Sequence, residues 1–520
     1  MENRRKKMMT TAIAGAMAAT IAVGGGTFAY LQGQTNTVEN QFNPNEVVVD
    51  IEETTGNQYS IVPGESDPKD PTLKITNTLP SFLFATIVDN TDGLVQYEVA
   101  DGWKALEGYD KVYYRIVDPV LDAQGNATEQ TFGVLKDNKV DYSAALTNAD
   151  MVDAQGHLRD SVTLSFKGFG IQMEPFYTNA INAGKTEMDA AKSAYVQEPI
   201  TVSVSSSGDL KQMIDDNNQS DRAAPLTIEL NDDLSYTEEE LTVEKGKEVI
   251  IDLNGHDLNV QNDSNDGLIV TGGGTLTLTN SGDGGSYNFT SSNPNCDTIF
   301  VYNAEDDQTT TLNFDSVKVN VYADQQNSVH AYAPKGDAVI NITDGTVINV
   351  TGQEKQVAGV VVGTGSTVNM DGGIINVNVV GTDANADAVG ILLFDDNKNT
   401  KRAVLNLSGG TINVIGGGTF AQGIQAGYDY GNDTVNMTGG IINVSGKDAA
   451  AFGIAKKADI NITGGSINVG VDDGYEGYAF IFQYPSNTND GIVNVKDGVV
   501  NLQGTNNVLT NGSKRVNVIS

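Results

Sequence analysis

The sequence predicts an all-β protein, an N-terminal β-sandwich followed by a parallel β-helix solenoid with a short capping helix. Three observations predict it. One phrase recurs six times: INITDGTVINVTG from Ile340, VNMDGGIINVNV from Val368, LNLSGGTINVIG from Leu405, VNMTGGIINVSG from Val435, INITGGSINVGV from Ile460 and VNVKDGVVNLQG from Val493. Its position along the chain wanders while its internal spacing holds. Residues 30–198, which lack the phrase, alternate apolar and polar side chains between turn signals.

The N-terminus reads as a targeting segment. Arg4, Arg5, Lys6 and Lys7 form a basic start, followed by TTAIAGAMAATIAVGGG, a run too short and too rich in Ala and Gly to span a membrane. Residues 1–29 are therefore expected to be a secretion signal cut between Ala29 and Tyr30, where Thr27 and Ala29 supply small residues. Its removal takes away four bases and Glu2, making the net charge of −36 more negative still. That charge argues against nucleic acid or an anionic membrane as the main partner. It leaves calcium open and calls for no other cofactor. Cys296 is the single cysteine, so no internal disulfide can form. The tail NGSKRVNVIS carries no sorting motif or anchor.

In residues 30–198, VVVDIE (47–52), TLKITNT (72–78), FLFATIVD (82–89), KVYYRIV (111–117) and VTLSFKGFGIQM (162–173) read as strands. VPGESDPKDP (62–71) is a turn, and Leu73, Ile75 and Asn77 share one face of the strand after it. NAINAGKTEMDAAKSAYV (179–196), rich in good helix formers, predicts one helix attached to the sandwich.

GGGTFAY (24–30), VPGESDPKDPTLKITNT (62–78), VYYRIV, FGVLKDNKVDYS and LSFKGFGIQ together resemble the TasA/camelysin family of secreted Gram-positive matrix proteins, over residues 1–198. The resemblance implies a jelly-roll-like sandwich and processing by a SipW-type signal peptidase. It also implies self-association into fibres, the mature N-terminal segment of one subunit completing the sheet of the next. In this chain the donor would run from Tyr30 through Val38 to Phe42. Some camelysin relatives are described as metalloproteases. His157, His256 and His330 form no H-E-x-x-H arrangement, and no two are close enough to ligate one zinc from a single helix. They read as surface or turn histidines.

The grammar changes after residue 198. SSGDLKQMIDDN (206–217), with Leu210, Met213 and Ile214 at helical spacing, predicts the capping helix within a linker and cap spanning 199–245. The repeats then occupy 246–520. VIIDLNGHDLNV (249–260) resembles the opening of right-handed parallel β-helices in pectate-lyase-like bacterial surface adhesins. The repeats align on Asn313, Asn341, Asn369, Asn406, Asn436, Asn461 and Asn494, at intervals of 28, 28, 37, 30, 25 and 33. A second asparagine follows at Asn320, Asn349, Asn376, Asn413, Asn443, Asn468 and Asn501. Fixed motifs at variable intervals mean strands joined by loops that absorb insertions.

Within a unit, Val435 and Met437 share a face that Asn436 opposes, and Ile442 and Val444 share a face that Asn443 opposes. Glycines between the two strands let the chain turn a corner. A third strand follows at VAGVVV (357–362), AVGILLF (388–394), AQGIQA (421–426), AFGIAK (451–456) and YAFIFQY (478–484). The outward asparagines are expected to stack as a structural ladder. The alternative is a polar strip that touches a ligand.

Function is expected in the loops leaving the third strand. Tyr302, Tyr332, Phe394, Tyr428, Tyr430 and Tyr484 would line up beside Asp306, Asp395, Asp396 and Asp429, an arrangement suited to sugars or simply to a soluble edge. A polysaccharide lyase or hydrolase needs a base or two carboxylates at a set separation. The pairs Asp395/Asp396 and Asp472/Asp473 are chain neighbours that point to opposite faces of an extended chain, and Lys401-Arg402 is the basic pair closest to Asp395 and Asp396. No catalytic phrase appears. The expectation is a non-enzymatic, adhesin-like protein of the cell surface or biofilm matrix, with a secreted polysaccharide-cleaving enzyme as the alternative.

Overall fold

The run SFLFATIV is apolar on both sides of its pleat, and such a strand must be covered twice. The computed structural model describes residues 47–519 apart from 57, 153–161, 221, 223, 238–239, 294, 306, 324–327, 353–356, 381–386, 396–400, 417–419, 430–432, 455–456, 472–475, 483–491, 504–506 and 511–515. In it Ser81–Asn90 lies between Val112–Val117 and Thr163–Gln172, both antiparallel to it. Leu83, Ala85 and Ile87 face a core shared with Leu73 and Ile75 of the antiparallel sheet formed by Val47–Glu52, Thr72–Asn77 and Gln130–Gly133. Phe82 and Phe84 point the other way, onto Ala190, Ala191 and Ala194. Asn77 is fully buried with Leu73 and Ile75, and its amide donates to the carbonyls of Leu79 (2.8 Å) and Val117 (2.9 Å).

The single helix expected over 179–196 is two, Phe176–Asn182 and Glu187–Tyr195. Gly184 breaks it with φ +71°. Thr186 then starts the second helix: its hydroxyl accepts from the Asp189 N–H, and the Asp189 carboxylate accepts from the Thr186 N–H, a reciprocal cap that restarts the helix at once.

From Ile200 onward the chain is a parallel β-solenoid of three sheets with twelve, ten and ten strands. Each strand pairs with the strand one rung later. Asp433–Met437 lies in the first sheet, Ile441–Gly446 in the second and Asp448–Ile454 in the third. Val435, Met437, Ile442 and Val444 all turn inward and are buried, in register with Leu405, Leu407, Ile412 and Val414. One hydrophobic cluster therefore runs unbroken from Val204 to Val499. An isolated rung would leave both sides of this core wet, which explains why the phrase repeats.

Two boundaries differ from the sequence reading. The ladder reaches back into 199–245: Ile200–Val204 pairs with Leu226–Leu230, which pairs with Glu248–Asp252. Leu226–Leu230, Leu234–Thr237 and Leu241–Val243 already form a full rung. Over its end sits the helix Ser207–Gln219, started by the Ser206 hydroxyl accepting from the Asp209 N–H, with Leu210 and Ile214 buried. The strand read as AFGIAK instead spans Asp448–Ile454, with Phe452 opposite Ile424 and Gly453 opposite Gln425. The Ala-x-Gly-Ile likeness to AQGI is two residues out of register, because Phe452 takes the inward place opposite Ile424 and stacks on Phe480 at 5.4 Å.

Candidate functional site

The outward asparagines form two continuous amide columns. Along the first sheet seven Nδ2–H···Oδ1 bonds of 2.8–3.4 Å link Asn313, Asn341, Asn369, Asn406, Asn436, Asn461, Asn494 and Asn517, each donating to the rung before it. Along the second sheet seven bonds of 2.7–2.9 Å link Asn259, Asn288, Asn320, Asn349, Asn376, Asn413, Asn443 and Asn468. Asn259, Asn288 and Asn517 extend columns that the phrase alone did not reveal.

The aromatic residues expected in loops end the third-sheet strands instead. Tyr302 closes Ile299–Tyr302 opposite Tyr332, which closes Val329–Tyr332. Phe394 and Asp395 end Ala388–Asp395 opposite Tyr428 and Asp429. Asp306, Asp396, Tyr430 and Tyr484 lie outside the described residues, as do Ala29, Tyr30, Val38 and Phe42. The Tyr302 and Tyr332 rings are 6.1 Å apart and 17° from parallel. Each turns a face to the other, so this part of the row offers ring edges and hydroxyls outward, not a flat platform. Lys401 is committed elsewhere: its ammonium donates to the Gly336 carbonyl (2.5 Å) and to Asp337 (3.0 Å).

Compared with family models, curated proteins and solved structures, the chain matches none.

A cluster that sequence spacing did not suggest lies beside this row. His330 is half-buried in the strand Val329–Tyr332, neither at the surface nor in a turn; His256 follows the turn at Asn254–Gly255, as expected. His330 Nδ1 lies 2.9 Å from Asp297 Oδ2, and the Asp297 N–H donates to Asp266 Oδ1 at 2.6 Å. The imidazole is tilted against Phe300 (5.3 Å), Tyr332 (6.5 Å) and Phe394 (6.0 Å), and its buried Nε2 has no hydrogen-bond partner among the described residues. Burial pushes the Asp266 carboxyl up to about 6, and the neighbouring Asp297 and Glu240 carboxylates add to the rise. A carboxyl that holds its proton to near-neutral pH can act as an acid; an imidazole held by a carboxylate can act as a base. Among the described residues, no group of three His, Cys, Asp or Glu is arranged to hold a metal, and no helix is long and apolar enough to cross a membrane.

The N-terminal unit carries a groove of 830 Å³. Its lining includes Ile51 and Glu52, from the edge strand of one sheet, and Leu164 and Phe166, from the edge strand of the other. Lys69 lies at its floor, paired with Glu53 at 2.6 Å and set over the rings of Tyr59 and Phe166. Two strand edges that pair with no other strand among the described residues thus border one groove.

Proposed function

We propose that this chain is an exported structural protein of the cell surface or biofilm matrix, with an adhesin-like rod mounted on an assembly domain. The observation that carries the reading is the uninterrupted ladder. Eleven steps between the twelve strands of the first sheet, at about 4.8 Å each, make a stiff rod roughly 50 Å long. The N-terminal unit is a jelly-roll-like sandwich in this reading, cut from its signal by a SipW-type peptidase. Residues 30–42 of one copy add as a strand to the groove-flanking edges of another. Support comes from the two edges beside the groove that pair with no strand among the described residues, and from Val48 and Ile51, which leave apolar surface exposed on one of them. The third-sheet row from Tyr302 to Phe394 supplies polar and ring-edge contacts to glycans. Electron microscopy of the secreted protein tests assembly. Fibres that vanish on deletion of residues 30–42 support the reading, and fibres that persist refute it.

One observation favours a second reading, a secreted polysaccharide lyase or hydrolase. The Asp266 carboxyl accepts from the Asp297 N–H, and the Asp297 carboxylate lies against the His330 imidazole. A group suited to give a proton and one suited to take it thus share a cluster with aromatic rings. Release of reducing or unsaturated sugar ends from a polysaccharide panel, lost in Asp266→Asn and His330→Ala, would establish it.

A further inference from the structure

A second face of the rod carries its own groove, of 560 Å³, along the outer surface of the second sheet. Its floor is the amide column Asn376, Asn413, Asn443 and Asn468, and Ile415, Ser445 and Gly470 form its rim. A primary amide has two N–H donors and two carbonyl lone pairs. Within the column Asn413 and Asn443 each spend one donor on the rung before and one lone pair on the rung after. At Asn413 and Asn443 one donor and one acceptor thus remain among the described residues, side by side and one ~4.8 Å rung apart. Vicinal hydroxyls of a sugar ring present the matching donor and acceptor pair. The aliphatic rim suits the C–H face of the same ring, and Ile415 is 52% exposed there. The lining residues include no charged side chain, in a chain whose net charge is −36. A polyanion would find neither a cation to pair with nor relief from the surrounding field.

We propose that this groove binds a linear, uncharged polysaccharide laid along the rod axis, successive sugars engaging the amides of successive rungs. The inference rests on the reading of the rod as a contact surface and names where and to what contact is made. It does not involve the aromatic row of the third sheet.

Gly470 gives a clean way to block the groove, because a β-carbon built there meets nothing within 4 Å. Gly470→Glu and Ser445→Glu place bulk and charge at the rim while leaving the amide column and the core untouched. Thr438→Glu, exposed beyond the first sheet, is the control. The full secreted chain is run through native gels containing hydroxyethyl cellulose or polygalacturonate, with circular dichroism confirming that each variant is folded. The expected result is retardation by the neutral glucan alone, abolished in Gly470→Glu and Ser445→Glu and kept in Thr438→Glu. Retardation that survives both rim variants, retardation by polygalacturonate instead, or none by either polymer overturns the proposal. Fibres seen by microscopy in the same preparations keep the structural reading standing if the groove fails. Loss of retardation in Tyr302→Ala but not in the rim variants moves the contact to the third sheet and likewise overturns it.

Discussion

A β-carbon on Gly439 would stand 2.0 Å from the carbonyl oxygen of Ser408, one rung earlier. The corner between the first and second sheets is therefore closed by backbone lying directly on backbone, and Gly440 completes the turn at φ +80°. A methyl group here has only main chain to displace. Gly439→Ala should destabilise the solenoid by on the order of 3 kcal/mol, the upper end of ordinary overpacking. Thr438→Ala, at the exposed neighbouring position, should cost little. Chemical denaturation midpoints of the two variants give the comparison, and equal midpoints would show that the corner relaxes freely.

The amide columns make a directional prediction. Asn413 accepts from Asn443 at 2.7 Å and donates to Asn376 at 2.8 Å. In Asn413→Asp the acceptor role survives but the donor is replaced by a carboxylate oxygen facing the Asn376 carbonyl. The expected loss is about 1–3 kcal/mol, the cost of a missing partner plus repulsion. Acidification should restore part of it, because a protonated carboxyl can donate again. A gap from wild type that stays constant as the pH is lowered through the ordinary carboxyl range would contradict the ladder.

Much of this fold could be read in the chain because a parallel solenoid writes one position at one place in each repeat. Asn341 and Asn369 are 28 residues apart and hydrogen-bonded, and the motif alone aligned them. Where loops differ in length or a large side chain intervenes, spacing misleads. The Ala-x-Gly-Ile of Ala451–Ile454 imitates that of Ala421–Ile424, yet burial of Phe452 sets the pairing two residues away. The contact between Asp297, just ahead of the strand Ile299–Tyr302, and His330 joins residues 33 apart and belongs to no motif. Its only trace in the sequence is one histidine in an otherwise apolar strand. The helix break at Gly184 was marked by a glycine followed by Thr186 and Asp189, a cap signal that helix-forming composition on either side obscured.

Asp266 ties stability to pH. Its carboxyl is raised to about 6 when folded, chiefly by burial, against an ordinary carboxyl value in the unfolded chain. The folded state thus holds this proton more tightly. The resulting stabilisation is full below the unfolded pKa and is lost as the pH climbs through about 6. Wild type should lose thermal stability between the two pKa values more steeply than Asp266→Asn, whose amide does not titrate. General relief of the −36 charge affects both proteins alike, so the difference between their melting curves isolates the group. Parallel pH profiles would place Asp266 in a solvated setting and would also weaken the enzymatic reading.

Phe452 tests whether the rod behaves as a one-dimensional stack. Its ring is fully buried and lies against Phe480 of the next rung at 5.4 Å and 27°. Truncation in Phe452→Ala removes both the transfer energy and the stacking partner, for an expected loss of about 3–5 kcal/mol. In a globular core that loss would lower a single unfolding transition. In a solenoid each rung is stabilised only by its neighbours, so a weakened rung uncouples the rungs after Ile454 from those before Asp448. Denaturation of Phe452→Ala should therefore split into two steps, the smaller belonging to the C-terminal rungs, while Phe452→Leu keeps one step at a lower midpoint. A single shifted transition in the alanine variant would mean that cooperativity spans the whole ladder.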